Sequence, residues 1–142
     1  AIDVLVKQAL ERGETDPIHH GLTRPQELEA EATSRAIWLA SVAADCPLYI
    51  VHLTASKALE QVRNARDLGR NVFAETCPQY LWLTLEETLG KPGFEGAKWV
   101  CSTPLRSPRG TLSLWSSILS TKPSASRSAT TFLRATKRSS PR

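Results

Sequence analysis

An unbroken apolar run at residues 48–51, followed directly by His52, is the feature that most constrains how this chain can fold. The run is rich in residues favoured in strands, Pro47 precedes it and polar residues follow it. Such a run predicts a strand buried on both faces, as in a parallel sheet. Because α/β proteins build their sites where parallel strands end, His52 is a candidate functional residue. A histidine packed in a core or loop without further function is the alternative.

A helix and a second strand are predicted after His52. Residues 56–68 carry apolar side chains at helical spacing, and residues 71–75 form a short extended segment. The order strand, helix, strand with tight turns predicts a βαβ unit and therefore an α/β fold. Residues 76–80 then leave the second strand at the same end of the sheet as His52.

Helix starts are marked by capping residues. Residues 2–12 have the pattern of an amphipathic helix, and Thr23 with Gln26 predicts a capping box at the start of another. Thr54 or Ser56 is the expected N-cap of the helix within the βαβ unit. The apolar stripe expected for the helix after Thr23 consists of Leu28, Ala32, Ala36, Leu39, Ala40 and Ala43.

The acidic residues Glu27, Glu29 and Glu31 fall in the first half of that helix. Negative charge is favourable at a helix N-terminus, and we expect all three side chains to form a solvated face. Further along, residues 83–89 predict a short helix and residues 97–101 an extended segment.

Charge is distributed unevenly along the chain, although its net value is only +4. Residues 1–95 hold nine Lys and Arg against fourteen Asp and Glu, whereas residues 96–142 hold nine Lys and Arg and no acid. We expect a folded α/β region over residues 1–110 and a basic, Ser/Thr-rich, disordered tail over residues 111–142. A basic tail can touch nucleic acid, so a small basic binding module is one hypothesis, but no aromatic platform supports it.

Cysteine and histidine spacing suggests no local metal site. Cys46, Cys77 and Cys101 are odd in number and form no C-x-x-C pair, so buried free thiols are expected. The adjacent His19 and His20 point in different directions, which disfavours joint metal binding.

The chain has no long apolar run and no charged leader, which predicts a soluble, cytoplasmic protein without a membrane partner. The lack of any Met leads us to expect a truncated N-terminus.

Several motifs in a fixed order resemble one family. The segments are Asp-Pro-Ile-His-His-Gly-Leu-Thr-Arg-Pro at 16–25, the acidic stretch 27–32, the strand 48–54, Glu-Thr-Cys-Pro-Gln-Tyr-Leu at 75–81, Lys-Pro-Gly-Phe-Glu-Gly-Ala-Lys at 91–98 and Pro-Leu-Arg at 104–106. Together they resemble the dihydropyrimidinase and hydantoinase group of cyclic amidohydrolases over residues 1 to about 106. Sister dihydroorotases tend to have two histidines where this chain has Gln79 and Tyr80.

The resemblance implies part of a (β/α)₈ TIM barrel of the amidohydrolase type. Such an enzyme hydrolyses the ring amide of dihydropyrimidines or 5-substituted hydantoins to N-carbamoyl amino acids. In that family two zinc ions, bridged by hydroxide and a carboxylated lysine, activate the attacking hydroxide. The implied partner is a small cyclic amide rather than nucleic acid, and the family tendency is a homotetramer.

Two positions carry over from the resemblance. His52 matches a histidine that ligates one zinc, and Ser102 matches a serine whose main chain contacts the cyclic imide of the substrate. The family's other metal-binding histidines, its bridging lysine and its oxyanion-stabilising tyrosine would precede Ala1. At most one zinc ligand position is therefore expected in this chain.

The family's general acid/base aspartate is missing where the resemblance would put it. It should fall near Ser128, but no Asp occurs after Asp67. Codons for residues 128–131 can be read in another frame as Gly-Asp-His, so we hypothesise a frame change between residues 106 and 122. No catalytic residue is then expected in this chain, and alone it should be inactive.

A non-enzymatic relative is the other interpretation. Dihydropyrimidinase-related cytoskeletal proteins keep the barrel, but they lack the ligand at the position of His52 and differ at residues 77–80. Both features of this sequence favour the enzyme over a structural or interaction protein.

Overall fold

Two short parallel strands joined by a helix form the centre of the computed structural model, which describes residues 1–108. Helices precede this unit and follow it. In chain order the elements are α1 (Ile2–Glu11), α2 (His19–Leu22), α3 (Gln26–Val42), β1 (Leu48–Ile50), α4 (Ser56–Asp67), β2 (Val72–Ala74), α5 (Gln79–Trp82), α6 (Leu85–Thr88) and a 3₁₀ helix (Gly93–Trp99).

The β1–α4–β2 segment confirms the predicted βαβ unit. β1 and β2 pair in parallel, with Leu48 opposite Val72 and Ile50 opposite Ala74. Main-chain pairing continues past the strands, because the Leu53 amide donates to the Glu75 carbonyl at 2.8 Å. The backbone on both sides of His52 is therefore fixed to the second strand.

Helices α3 and α4 cover one face of this small sheet. The main core cluster joins α3, the loop after β1, α4 and β2. Its buried members are Ile37, Leu53, Ala55, Ala58, Val62, Ala65 and Val72. Ala58, Val62 and Ala65 of the apolar stripe predicted for residues 56–68 therefore provide the contact between α4 and the sheet, whereas Leu68, at the end of the predicted stripe, is 75% exposed.

The prediction that the first strand is buried on both faces is wrong for the described residues. Leu48 and Ile50 pack against the core cluster, but the alternate residue Tyr49 is 51% exposed. Val51 and Phe73 are exposed as well. Successive side chains point to opposite faces, and within residues 1–108 the helices cover only one of them.

The start of α3 differs from the predicted capping box. The Thr23 hydroxyl donates to the His19 carbonyl at 2.7 Å, and Pro25 occupies the N-cap position without a side-chain bond. The expected apolar stripe is also shifted, since Leu39 is 64% exposed. The side chains of α3 that are buried are Thr33, Ile37 and Ala40.

A second cluster holds the end of the described chain. Tyr80, Leu85, Leu89 and Leu105 are buried together. The extended segment predicted for residues 97–101 is wrong, because a 3₁₀ helix runs to Trp99. Gly96 explains the close packing of that helix: a Cβ there would lie 2.4 Å from the Leu89 carbonyl oxygen.

Predictions about the basic tail at residues 111–142, and about the missing aspartate near Ser128, fall outside the described residues. Among residues 1–108 no helix is long and apolar enough to cross a membrane.

Candidate functional site at the strand ends

His52 lies two residues beyond β1 with a backbone conformation that is rare for a side-chain-bearing residue. Its φ is +43°. Non-glycine residues in this left-handed region cost about 1–3 kcal/mol and persist where the surrounding structure dictates them, often at functional sites. Histidine tolerates the region better than most residues. Leu53 pairs with Glu75, so the chain turns at His52. The main chain of His52 takes no part in the hydrogen bonds between the strands.

The His52 ring contacts a distant segment of the chain. Its Nδ1 atom lies 2.7 Å from the Thr103 hydroxyl oxygen. Within residues 1–108 its Nε2 atom makes no hydrogen bond. The contact brings His52 beside the segment that contains Ser102, so the two positions singled out in the sequence lie in adjacent segments.

Buried groups fix the main chain on both sides of Ser102. The Tyr80 hydroxyl donates to the Thr103 carbonyl at 3.1 Å. The Nε2 atom of His20 lies 2.6 Å from the carbonyl oxygen of Cys101. Burial raises the pKa of Tyr80 to about 12, so its phenol stays protonated and able to donate. Burial also lowers the pKa of His20, so the ring is neutral at pH 7 and its Nε2–H can donate.

The main-chain groups of Ser102 itself are different. In the described part of the chain neither its N–H nor its carbonyl has a hydrogen-bond partner, and the residue is exposed. The site therefore offers a free N–H and a free carbonyl on one residue, between two residues whose carbonyls are tied down.

A buried ion pair anchors the same segment to α3. The Arg106 guanidinium lies 2.6 Å from Glu29 Oε2, and the side chains are only 8% and 15% exposed. The guanidinium also donates to the Thr54 hydroxyl at 3.0 Å and to the Arg24 carbonyl at 2.5 Å. These bonds connect three separate stretches of chain around the end of β1.

Glu29 also holds the start of α4. Its Oε1 accepts from the Thr54 amide at 2.7 Å and the Ala55 amide at 3.1 Å, and its Oε2 accepts from the Thr54 hydroxyl. Ala55, rather than Thr54 or Ser56, is the N-cap of α4 and has no side-chain cap. The acceptor at this helix start therefore comes from another helix.

The expectation that Glu29 belongs to a solvated face is therefore wrong. A signal for its burial was present, because residues 29, 33, 37 and 40 share one face of α3, and the last three are its buried positions. Glu27 and Glu31 do lie on the exposed face, where they pair with Lys57 and Arg35.

The three cysteines are free thiols, as expected, but they are not all buried. Cys46 is exposed, whereas Cys77 and Cys101 are partly buried near Tyr80. Burial is the main cause that raises the pKa of Cys77, with the Glu75 carboxylate adding to it. At neutral pH Cys77 is thus held in the less reactive thiol form.

Among the histidines of the described region, the side chain of His52 has an atom free to bind a metal. His52 has a free ring nitrogen at a fixed place, whereas His20 bonds the Cys101 carbonyl and His19 lies 3.5 Å from Glu14. No group of three or more His, Cys, Asp or Glu side chains within residues 1–108 could hold a metal ion. These residues alone therefore do not make a complete metal site.

No family model matches the chain, but individual proteins do. It is 59% identical over 115 residues to a D-hydantoinase of Streptomyces coelicolor, covering 81% of this chain and 24% of that protein. It is 52% identical over 117 residues to a D-hydantoinase of Geobacillus stearothermophilus, covering 82% and 24%. The chain thus spans about a quarter of the length of the curated relatives it matches.

Solved structures give the same result. A dihydropyrimidinase from Brevibacillus agri superposes with a TM-score of 0.76 at 51% identity, covering 82% of this chain and 25% of that one. An L-hydantoinase (dihydropyrimidinase) from Arthrobacter aurescens superposes with a TM-score of 0.70 at 28% identity, covering 80% and 24%. Over the matched residues, this chain belongs to the hydantoinase and dihydropyrimidinase family.

Proposed function

We propose that this chain supplies one edge of the active site of a metal-dependent cyclic amidohydrolase. The reaction is hydrolysis of the ring amide of a dihydropyrimidine or a 5-substituted hydantoin, which yields an N-carbamoyl amino acid. The observation that carries the proposal is the contact of His52 with Thr103, the neighbour of Ser102, at the end of the parallel strands, in a chain 59% identical over 115 residues to a D-hydantoinase. Parallel strand ends are where such folds bind substrates.

His52 is the metal ligand in this proposal. A neutral imidazole is a good zinc ligand, and a ring attached close to a strand end is held at a fixed position. Zinc in such a site lowers the pKa of bound water towards neutrality and polarises the amide carbonyl. In this proposal the remaining ligands come from outside the described residues.

Ser102 contacts the substrate through its main chain. A cyclic imide presents an N–H donor flanked by carbonyl acceptors, which complements the N–H and carbonyl of one peptide residue. Ser102 has both groups free among the described residues, while the carbonyls of Cys101 and Thr103 already accept hydrogen bonds. Substrate binding there would leave the neighbouring bonds intact.

The wider architecture follows from the same proposal. Residues 1–110 form part of a (β/α)₈ barrel, with residues 111–142 as a separate basic tail. The exposed sheet face that carries Tyr49, Val51 and Phe73 is apolar, as expected of residues that the rest of a barrel covers. A zinc cofactor, a cytoplasmic location and a homotetramer belong to the whole enzyme in this proposal.

A chimera tests the proposed function. Residues 1–108 would replace the matching segment of the Streptomyces coelicolor D-hydantoinase, and hydantoin hydrolysis and zinc content would be measured. We expect an active chimera that loses its activity and part of its zinc with His52→Ala. The control is His19→Ala, which removes a histidine paired with Glu14 and should leave both values unchanged. Full activity and zinc content in the His52→Ala chimera would refute the proposal.

A further inference from the structure

The two nitrogens of the His52 ring have different environments. Nδ1 lies 2.7 Å from the Thr103 hydroxyl, whereas Nε2 makes no hydrogen bond within the described residues. In a neutral imidazole one nitrogen carries the proton and the other carries a lone pair, and the bond made by one nitrogen selects the state of the other. The Thr103 hydroxyl can donate to Nδ1 or accept from Nδ1–H, and only the second arrangement leaves the Nε2 lone pair free.

We propose that Thr103 is a positioning residue, whose hydroxyl accepts the Nδ1–H of His52 and thereby leaves the Nε2 lone pair for a metal. The inference rests on the proposed function, because that function makes His52 a ligand. Metal-binding histidines commonly donate their second N–H to an oxygen that fixes the ring's orientation. Here a hydroxyl from a segment 51 residues away supplies that oxygen.

The Thr103 hydroxyl is itself held in place. The Thr103 carbonyl accepts from the Tyr80 hydroxyl at 3.1 Å and from the Cys101 thiol at 2.9 Å. Three residues later, Arg106 is buried against Glu29. The backbone that carries the hydroxyl is thus fixed on both sides, as a positioning role requires.

The backbone of His52 adds an independent reason for a side-chain constraint. The φ of +43° sets the direction of the Cα–Cβ bond, and the pairing of Leu53 with Glu75 prevents the turn from relaxing. The contact with Thr103 then restricts the rotation of the ring. Together the backbone and the hydroxyl define both the position and the tautomer of the imidazole.

Nitrogen NMR on the full 142-residue chain tests the inference. Long-range ¹H–¹⁵N spectra of ¹⁵N-histidine protein, recorded above about pH 8 where an ordinary histidine is neutral, report which nitrogen is protonated. His52→Gln identifies the resonance. We expect the Nδ1–H form in the wild type, a shift to mainly Nε2–H in Thr103→Val, and recovery of Nδ1–H in Thr103→Ser.

Valine keeps the shape of threonine and serine keeps its hydroxyl, so the pair separates packing from hydrogen bonding. Circular dichroism and the unchanged His20 resonance would show that each variant is folded. An Nε2–H wild type, or the same tautomer in Thr103→Val as in the wild type, would overturn the inference. The readout needs neither metal nor turnover, so its failure is distinct from failure of the proposed function, which an active His52→Ala chimera would reveal.

Discussion

Removing the Glu29 carboxylate should strongly destabilise this chain. In Glu29→Ala, Arg106 would stay in a site where it is only 8% exposed, without its ion-pair partner. The amides of Thr54 and Ala55 would lose their acceptor at the same time. Breaking a buried ion pair by removing one partner costs about 3–5 kcal/mol, and the lost amide bonds overlap with that cost rather than adding to it in full.

The matched control is Glu31→Ala, two residues away on the same helix. Its side chain is 58% exposed and pairs with Arg35 one turn later. Exposed pairs of this kind contribute at most about 0.5 kcal/mol. The structure therefore predicts a difference of several kcal/mol between two substitutions that look equivalent in the sequence.

Urea unfolding followed by circular dichroism would measure the difference. With a slope of about 1–3 kcal/mol per molar urea, Glu29→Ala should lower the midpoint by about 1 M or more, or abolish the folded baseline altogether. Glu31→Ala should leave the midpoint nearly unchanged. The double variant Glu29→Leu with Arg106→Met, which removes both charges, should be more stable than Glu29→Ala. Equal midpoints for Glu29→Ala and Glu31→Ala would refute the reasoning.

Three other predictions follow from single contacts. In the active chimera, Thr103→Val should weaken zinc binding about 10–100-fold, measured by competition with a chelator, whereas Thr103→Ser should stay close to the parent. Gly96→Ala should lower the free energy of unfolding by about 1–3 kcal/mol in urea titrations, because its Cβ would meet the Leu89 carbonyl. Tyr80 has a folded-state pKa raised from 10.0 to about 12, so its contribution to stability should be intact below about pH 10 and fall as pH rises towards 12. Tyr80→Phe should remove that part of the pH dependence in thermal unfolding, and an unaltered profile would contradict the assignment.

The sequence predicted those parts of the fold that depend on neighbouring residues. The β1–α4–β2 unit follows from an apolar run, a helical stripe and short turns, all of which are local signals. The exposure of Tyr49 was not predictable in this way, because it depends on what covers the second face of the sheet. The capping box at Thr23 failed for a related reason: the hydroxyl bonds the preceding turn of chain instead of the following helix.

The site was predictable only in part, because its connections are long-range. His52 and Ser102 were singled out from a strand end and from resemblance, and their roles in metal and substrate binding stay predictions. Glu29 was missed, since its partners lie 25 and 77 residues further along the chain. Thr103 was missed for the same reason. A helical-face analysis that included polar residues would have placed Glu29 among the buried positions of α3.

The buried ion pair between Glu29 and Arg106 contributes to the site by joining residues that are far apart in the sequence. Residues 101–106 form no helix or strand of their own, so side chains from earlier in the chain must fix their position. Tyr80 and His20 hold the carbonyls on either side of Ser102, and the Glu29–Arg106 pair holds the end of the segment. Because Glu29 also binds the amides that follow His52, one carboxylate fixes both halves of the site relative to each other. Loss of that carboxylate should therefore disturb the contact between His52 and Thr103 even where the strands stay paired.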